Sequence, residues 1–561
     1  MSRPVLCASF VLIAFAALAA KDSYLDLVSR AVGAYDDRRL AEYEARVARE
    51  GVSEHGFPRL AANLAFLVAH GRETARRDQC GRLLDLCAQE VPRAFERNGR
   101  RAGNDFSVKE LALAIRELEA SGAFPKARTE AWRRAFAPMA AERIYSAQPR
   151  PGDGRANNWC VYGAASEQAR LFTGMGGSAA YVERYVSDQL RFFDSNGMYR
   201  DPGQPMVYDL VTRLQFAAAL WCGYDGPSRP ALEALLRKSA EPTLRMQAVT
   251  GEIPFGGRSN QFLHNETFYA ALCEWYAARF ARAGDLRTAG RFKAAARRAV
   301  AALGGWLGQK PVSHVKNRYP VDSGIGCEGY AYFDKYMVTM GSWACLAYLF
   351  ADDSIPAAED GPGDSCLVMG EDFHRIVLNR GDYTAQFDWK AQDGYDASGL
   401  GRLVRRGAPS ALCLACSAAK KPHYRLSSPN PRELAIAPGW ARYAVVTADV
   451  DAVVLTDGRS RWTSRLAGDG LRMTLAGEGP QTLTLPAIVT DGEAEGTATP
   501  TADGLEVAFR GAVLRYRSSA PIRRTDDVCG NRNGRYRIYE TTAPDRLEVR
   551  IEIDGGRRPA R

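Results

Sequence analysis

The chain lacks the motifs that announce most enzyme classes. In 561 residues there is no HExxH pair, no paired CxxC and no Asp-rich calcium loop, so neither a metal nor a cofactor is expected. There is no glycine-rich phosphate cradle, no GxGxxG before a helix and no GxSxG elbow. Histidine is scarce, at six residues. Concentrated charge is also missing. The formal net charge is +9, but Lys and Arg are dispersed along the chain. A nucleic-acid partner calls for a basic patch and is not expected, whereas a mild positive balance suits a polyanionic partner. Beyond residue 20 no run is apolar enough to span a membrane.

What is present begins at the N-terminus. Arg3, the apolar run Val5–Leu18 and the small-x-small site Ala17-Leu18-Ala19 read as a secretory signal peptide over residues 1–19. The mature chain is then expected outside the cytoplasm, secreted or periplasmic, with no membrane span. Of the twelve cysteines, loss of Cys7 leaves eleven, an odd number that keeps at least one thiol free. Cys413 and Cys416 have redox spacing. They sit in an alternating apolar run with Ala411, Leu412 and Leu414, which reads as a buried strand. No feature of the sequence specifies an oligomeric state.

Two kinds of periodicity divide the rest. Residues 20–354 carry apolar residues at three and four, in about twelve segments that include Tyr24–Arg49, Val108–Ser121, Leu232–Met246, Gln261–Ala283 and Tyr330–Phe350. Short connections alternate with long Gly/Pro-rich ones. Stacked helical hairpins have this rhythm, and about six of them close into an (α/α) toroid with the long loops lining a cleft. Residues 355–364 are rich in Pro, Gly and acids and read as a linker. From 365 to 561 the period is two. Ten strands, from Arg375–Leu378 to Leu547–Ile553, are separated by Gly/Asp turns, which predicts an antiparallel β-sandwich. The expected fold class is therefore α+β multidomain: an N-terminal toroid and a C-terminal sandwich.

Four polar clusters fall in the long loops of the helical part. Gly256–Glu266 is the densest. It holds Arg258, Asn260, Gln261, His264, Asn265 and Glu266 where a glycine pair runs into a helix. With Asn260 near the helix start, His264 falls one turn later. A second cluster is Asn157-Asn158-Trp159 with Tyr162. Asn157 reads as an N-cap, and the Trp159 indole offers a platform for a sugar face. A third runs from Asn196 to Asp209 and contains Asp201 and Tyr208; Asp209 and Arg213 are spaced as a helical ion pair. The fourth begins at His314 and holds Lys316, Arg318, Tyr319, Glu328, Tyr330 and Lys335. Glu328 and Tyr330 are expected to open the last helix, and Lys316 and Arg318 fit a solvated surface.

This order of domains and clusters resembles the toroidal polysaccharide lyases of the chondroitin/hyaluronate, alginate and heparinase II/III type. Asn158-Trp159 is similar to their Asn-Trp, Tyr208 or Tyr330 to their catalytic Tyr, and His264 to their base. The resemblance implies β-elimination on a uronate-containing polysaccharide or oligosaccharide, with no cofactor. Asn158 and Arg258 would neutralise the carboxylate, His264 would take the proton, and Tyr208 or Tyr330 would supply one. Trp159, Asp201, Asn260, Gln261, Asn265, Glu266, Tyr319, Glu328 and Tyr330 would line the substrate. A second resemblance, in motif order, is to toroidal exo-β-glucuronidases. That reading needs two carboxylic acids, for which Asp201, Asp209, Glu266 and Glu328 are available. A glycan-binding protein without catalysis is the third reading.

Overall fold

The computed structural model describes residues 20–145, 157–203, 205–359, 361–391, 395–416, 436–440 and 442–555. The segment read as a signal peptide lies outside them. Six helices form an inner ring: Gly56–Ala69, Val108–Ser121, Asn158–Phe172, Met206–Trp221, His264–Arg282 and Phe333–Phe350. Each packs on the next in chain order, and the sixth packs back on the first. Inner helices are buried nearly all round; from Gly56 to Val68 every residue of the first is inaccessible.

Each inner helix has an outer partner. Arg77–Glu90, Lys126–Phe136, Ala179–Gln189, Arg229–Lys238 and Leu286–Leu307 follow the first five in order. The partner of the sixth comes from the start of the chain, Ala20–Gly33. The ring is therefore closed by its two sequence extremes. A buried triad reinforces the closure: Tyr24 donates to Glu274 at 2.7 Å, and Lys293 pairs with the same carboxylate at 2.9 Å. Because an outer helix returns the chain after each inner one, the inner helices share one direction.

Some helical segments are shorter than periodicity suggested. Tyr24–Arg49 is two helices, broken before Asp36, whose carboxylate caps the second by accepting from Arg39 N at 2.7 Å. Leu232–Met246 is also divided, at Ser239. The last inner helix starts at Phe333, so Glu328 and Tyr330 precede it instead of opening it. Asn260 and Gln261 likewise lie in the loop before the fifth, which begins at His264.

The C-terminal part is antiparallel throughout, in sheets of four, eight and three strands. All ten expected strands are present. Among the additional ones, Thr497–Thr501 is an exposed edge strand containing Pro500, and Ile522–Gly530 is highly charged with a register shift between Arg524 and Val528. Ala411–Cys416 is buried as expected but is not a strand; it touches Gly399–Arg405 through the single bridge Arg402–Leu414. No disulfide joins any two of the eleven described cysteines. No helix among the described residues is long and apolar enough to cross a membrane.

Asp209 and Arg213 form a fully buried bidentate pair, Nε–Oδ1 at 2.9 Å and Nη2–Oδ2 at 2.6 Å. Asp209 also accepts Tyr199 N–H at 2.6 Å, which ties the Asn196–Asp201 loop to the helix. Arg213→Met strands a buried carboxylate and is expected to cost about 3–5 kcal/mol, with Asp209→Asn/Arg213→Met recovering part of it. Chemical denaturation of the three proteins checks this; a single variant as stable as the wild type would contradict the pair's role.

Candidate active site

The inner helices start around a cavity of about 470 Å³; five of them contribute residues to its wall, and the second contributes through the segment that precedes it. Arg59 stands on the first turn of the first helix. Phe106 and Gly103 precede the second. Asn158 opens the third, Tyr208 lies on the first turn of the fourth, His264 opens the fifth, and Lys335 and Tyr336 sit on the first turn of the sixth. Six helix N-termini with a common direction put partial positive charge at one place, which favours an anion.

The side chains reinforce that field. Three arginines (59, 101 and 258), Lys335 and two histidines (55 and 264) line the cavity, and among the described residues no Asp or Glu does. Arg59 is buried and fully engaged: it donates to Phe106 O at 2.6 Å, Thr339 Oγ1 at 2.6 Å and Glu110 Oε1 at 3.4 Å. Lys335 differs, because no carboxylate of the described residues lies within ion-pair distance of its ammonium. Arg258 spends Nη2 on Asp201 Oδ2 at 2.8 Å and Pro202 O at 2.7 Å, and lays its guanidinium 4.6 Å from the centre of the Tyr208 ring.

Four of the lining residues are tyrosines, and three of them converge on one hydroxyl. Ser259 Oγ lies 3.1 Å from Tyr208 Oη, 3.2 Å from Tyr330 Oη and 2.9 Å from Tyr336 Oη. Ser259 adopts φ 56°, and Gln261 adopts φ 64°. Left-handed backbone at residues other than glycine is strained and persists only where surroundings hold it. The glycine pair before them serves close approach: a Cβ on Gly256 would lie 2.1 Å from Asp396 Oδ1. That same oxygen accepts Gly257 N–H at 2.6 Å.

Charge and burial separate the proton affinities. Burial first, then Arg59, His314 and Lys316, push His264 well below the usual histidine value. His55 moves the same way, through burial and then Arg59, Lys335 and His264. The Tyr208 phenol is pushed well above its usual value by burial and Tyr336, with Arg258 opposing. Tyr330 and Tyr336 also rise, through burial first. The resting site thus holds neutral imidazoles and protonated phenols. His264 Nδ1 is buried and has no partner among the described residues, while Tyr336 packs edge-on at 4.6 Å from the ring.

Of the residues singled out in the sequence, Asn158, Trp159, Tyr162, Tyr208, Arg258, His264, Tyr330 and Lys335 line this cavity. Trp159 meets Phe106 edge-on at 5.0 Å, and Asn157 caps the helix by accepting Trp159 N–H. Asn158 donates its amide to Asp201 Oδ1 at 2.9 Å and leaves its own Oδ1 without a partner. Asp201 sits behind the wall, between Asn158 and Arg258.

The others lie elsewhere. Asn260 accepts Gly256 N–H and donates to Pro254 O, and Asn265 accepts Phe262 N–H. Gln261 accepts from Asn533 at 3.1 Å. Glu266 is buried against Lys316 at 2.7 Å, a lysine that also meets Glu252 at 3.2 Å instead of solvent. Glu328 pairs with Arg532, and Tyr319 packs against the turn at Gly492. His55, Arg59, Arg101 and Tyr336 were not anticipated. Arg59 had a visible signal: it is the one charged residue in the apolar segment Gly56–Ala69.

No family model matches the chain, and no curated protein matches it by sequence. Solved structures do. The crystal structure of heparinase III aligns with a TM-score of 0.50 at 10% identity, over 88% of this chain and 77% of that one. A chondroitinase AC lyase aligns at 0.42 and 10% identity, over 96% and 84%. A GH127 β-L-arabinofuranosidase from Geobacillus stearothermophilus T6 aligns at 0.34 and 13%, over 95% and 80%. The chain has the fold of the toroidal polysaccharide lyases: a helical toroid followed by antiparallel β-sheets.

Because the neutral form of His264 is favoured, its ring is expected to stay uncharged at pH values where a free histidine is half protonated. In an NMR titration His264, identified by loss of its signal in His264→Gln, should protonate below pH ~6.5. A midpoint at or above that value would contradict the electrostatic description.

Proposed function

We propose that this protein is a polysaccharide lyase that cleaves a uronate-containing glycan by β-elimination. The observation that carries the reading is a cavity whose polar lining is cations, neutral imidazoles and phenols, with no carboxylate among the described residues. Elimination needs those groups: positive charge at the sugar carboxylate to acidify the C5 proton, a base, and an acid for the departing oxygen.

In this reading Arg258, through the N–H groups it does not spend on Asp201, and Lys335 hold the C6 carboxylate. His264 takes the C5 proton. The electron pair of that C–H bond becomes the C4–C5 double bond, the C4–O4 bond breaks, and Tyr208 protonates O4. Tyr208 is preferred to Tyr330 because the Arg258 guanidinium over its ring stabilises the phenolate it would leave. Asn158, whose amide is given to Asp201, positions Arg258 instead of meeting the carboxylate itself. The incoming carboxylate opposes the cations that depress His264, so the base strengthens when substrate arrives.

In most glycoside hydrolases a pair of carboxyl groups flanks the bond. Each acid available for such a pair is spent in an ion pair: Asp201 with Arg258, Asp209 with Arg213, Glu266 with Lys316 and Glu328 with Arg532. The fold likeness to heparinase III is consistent with lyase chemistry and does not choose the sugar.

Incubation with uronate polysaccharides is expected to yield products that absorb in the ultraviolet from the new double bond. New reducing ends without that absorbance would end the proposal. His264→Gln and Tyr208→Phe should each lower kcat by roughly 10²–10⁴-fold, with Tyr330→Phe milder. Binding of a uronate oligosaccharide to His264→Gln should weaken with added salt, and Lys335→Ala should weaken it further by about tenfold or more.

A further inference from the structure

The loop carrying Ser259 is held from the β-domain. Arg532, in the loop between Ile522–Gly530 and Arg535–Ala543, is only 4% exposed and forks onto Glu328. Its Nη1 donates to Glu328 Oε2 at 2.7 Å and to Gly326 O at 2.7 Å, and its Nη2 donates to Glu328 Oε1. Glu328 Oε1 in turn accepts Ser259 N–H at 2.7 Å. Two residues further on is Tyr330, whose phenol meets the Ser259 hydroxyl. The neighbour Asn533 donates to Gln261 Oε1 at 3.1 Å and Lys316 O at 3.0 Å, gripping the second strained residue of the loop.

From this chain of contacts we infer that Arg532 is a positioning residue for catalysis: acting through Glu328, it fixes the Ser259 hydroxyl on which Tyr208, Tyr330 and Tyr336 converge. The helical domain supplies the reacting groups, but the strained turn that registers them is completed by the β-domain. No part of Arg532 lines the cavity, so its effect is on geometry and not on substrate contact. The inference rests on the lyase reading for the identity of the acid, Tyr208.

The electrostatics support the same chain. Burial alone would raise the Glu328 carboxyl, but Arg532 and the Ser259 N–H outweigh it and hold it below the usual value. Without Arg532 that carboxyl, buried and unpaired, shifts upward and takes a proton as the pH falls. Protonation weakens the acceptor that holds Ser259 N–H, so a positioning role predicts a new acidic limb in kcat. A purely structural role predicts loss of folded protein with an unchanged profile.

The test uses the full chain, with folding checked by circular dichroism and thermal unfolding. Turnover is followed both as ultraviolet absorbance and as new reducing ends. Arg532→Met is expected to lower kcat at least about tenfold with KM changed less than threefold, and to add an acidic limb. Arg532→Lys, which keeps the charge but not the fork, should fall between the two. Glu328→Gln/Arg532→Met, which keeps a neutral acceptor for Ser259 N–H, should lose the new limb and regain part of kcat. A folded Arg532→Met protein with wild-type kcat and profile overturns the inference. So does a double variant that keeps the new limb. Reducing ends without absorbance in the wild type would instead remove the lyase reading and leave the Arg532 comparison intact.

Discussion

The common direction of six inner helices is the constraint on which the rest of this structure depends. Each has backbone N–H groups without intrahelical partners at its first turn, and these turns, or for the second helix the residues just before it, surround one cavity. A region with that bias favours an anion, and a carboxylate of the protein placed there unpaired would cancel it. Asp201, Asp209, Glu266 and Glu328 are close in sequence to lining residues, yet each is turned away and neutralised by a named cation. Burying four such pairs is costly in desolvation and is weak as a source of stability. Its effect is to exclude carboxylate chemistry from the cavity while leaving Lys335 unpaired beside it.

The second constraint is the join between the two domains. The turn from Phe255 to Gln261 must bring a serine hydroxyl to three phenols, which it achieves with two left-handed residues that local propensity disfavours. Asp396 holds it at Gly257, and Arg532, through Glu328, holds it at Ser259. Arg402 approaches the buried Lys316–Glu252–Glu266 cluster from the same side. The β-domain therefore helps to hold the turn that carries Ser259, although none of its described residues lines the cavity.

The architecture was legible because both periods are strong: helical over the first 350 residues and alternating beyond. So were the lining residues that combine an unusual side chain with a loop-to-helix junction, namely Asn158, Trp159, Tyr208, Arg258 and His264. The density of polar side chains from Arg258 to Glu266 carried less than it promised. Asn260, Gln261 and Asn265 satisfy the backbone of a buried irregular loop, which needs amide partners as much as a substrate would. His55 and Arg59 sit inside or beside an apolar helix, and Tyr336 falls in the regular pattern of the last one. Apart from the lone charge of Arg59 in its apolar helix, nothing local separates them from core positions, since it is the closure of the ring that brings the first helix against the sixth. Arg532 is further still, more than two hundred residues from the glutamate it holds.

The resting cavity is electrostatically incomplete. Its imidazoles are held neutral by burial and, second to it, by nearby positive charge, and its phenols are held protonated by burial. Each is therefore a weak base or a weak acid as it stands. One negative group placed between Arg258 and Lys335 changes this by offsetting the cations that depress His264. Placed there, the same group leaves the Arg258 guanidinium over the Tyr208 ring, where it opposes the cost of forming a phenolate. A neutral sugar of the same shape would fill the cavity without supplying that charge. Under the proposed lyase reading, specificity for an acidic sugar and activation of the proton acceptor are one electrostatic event, and discrimination against neutral glycans should act on kcat as well as on binding.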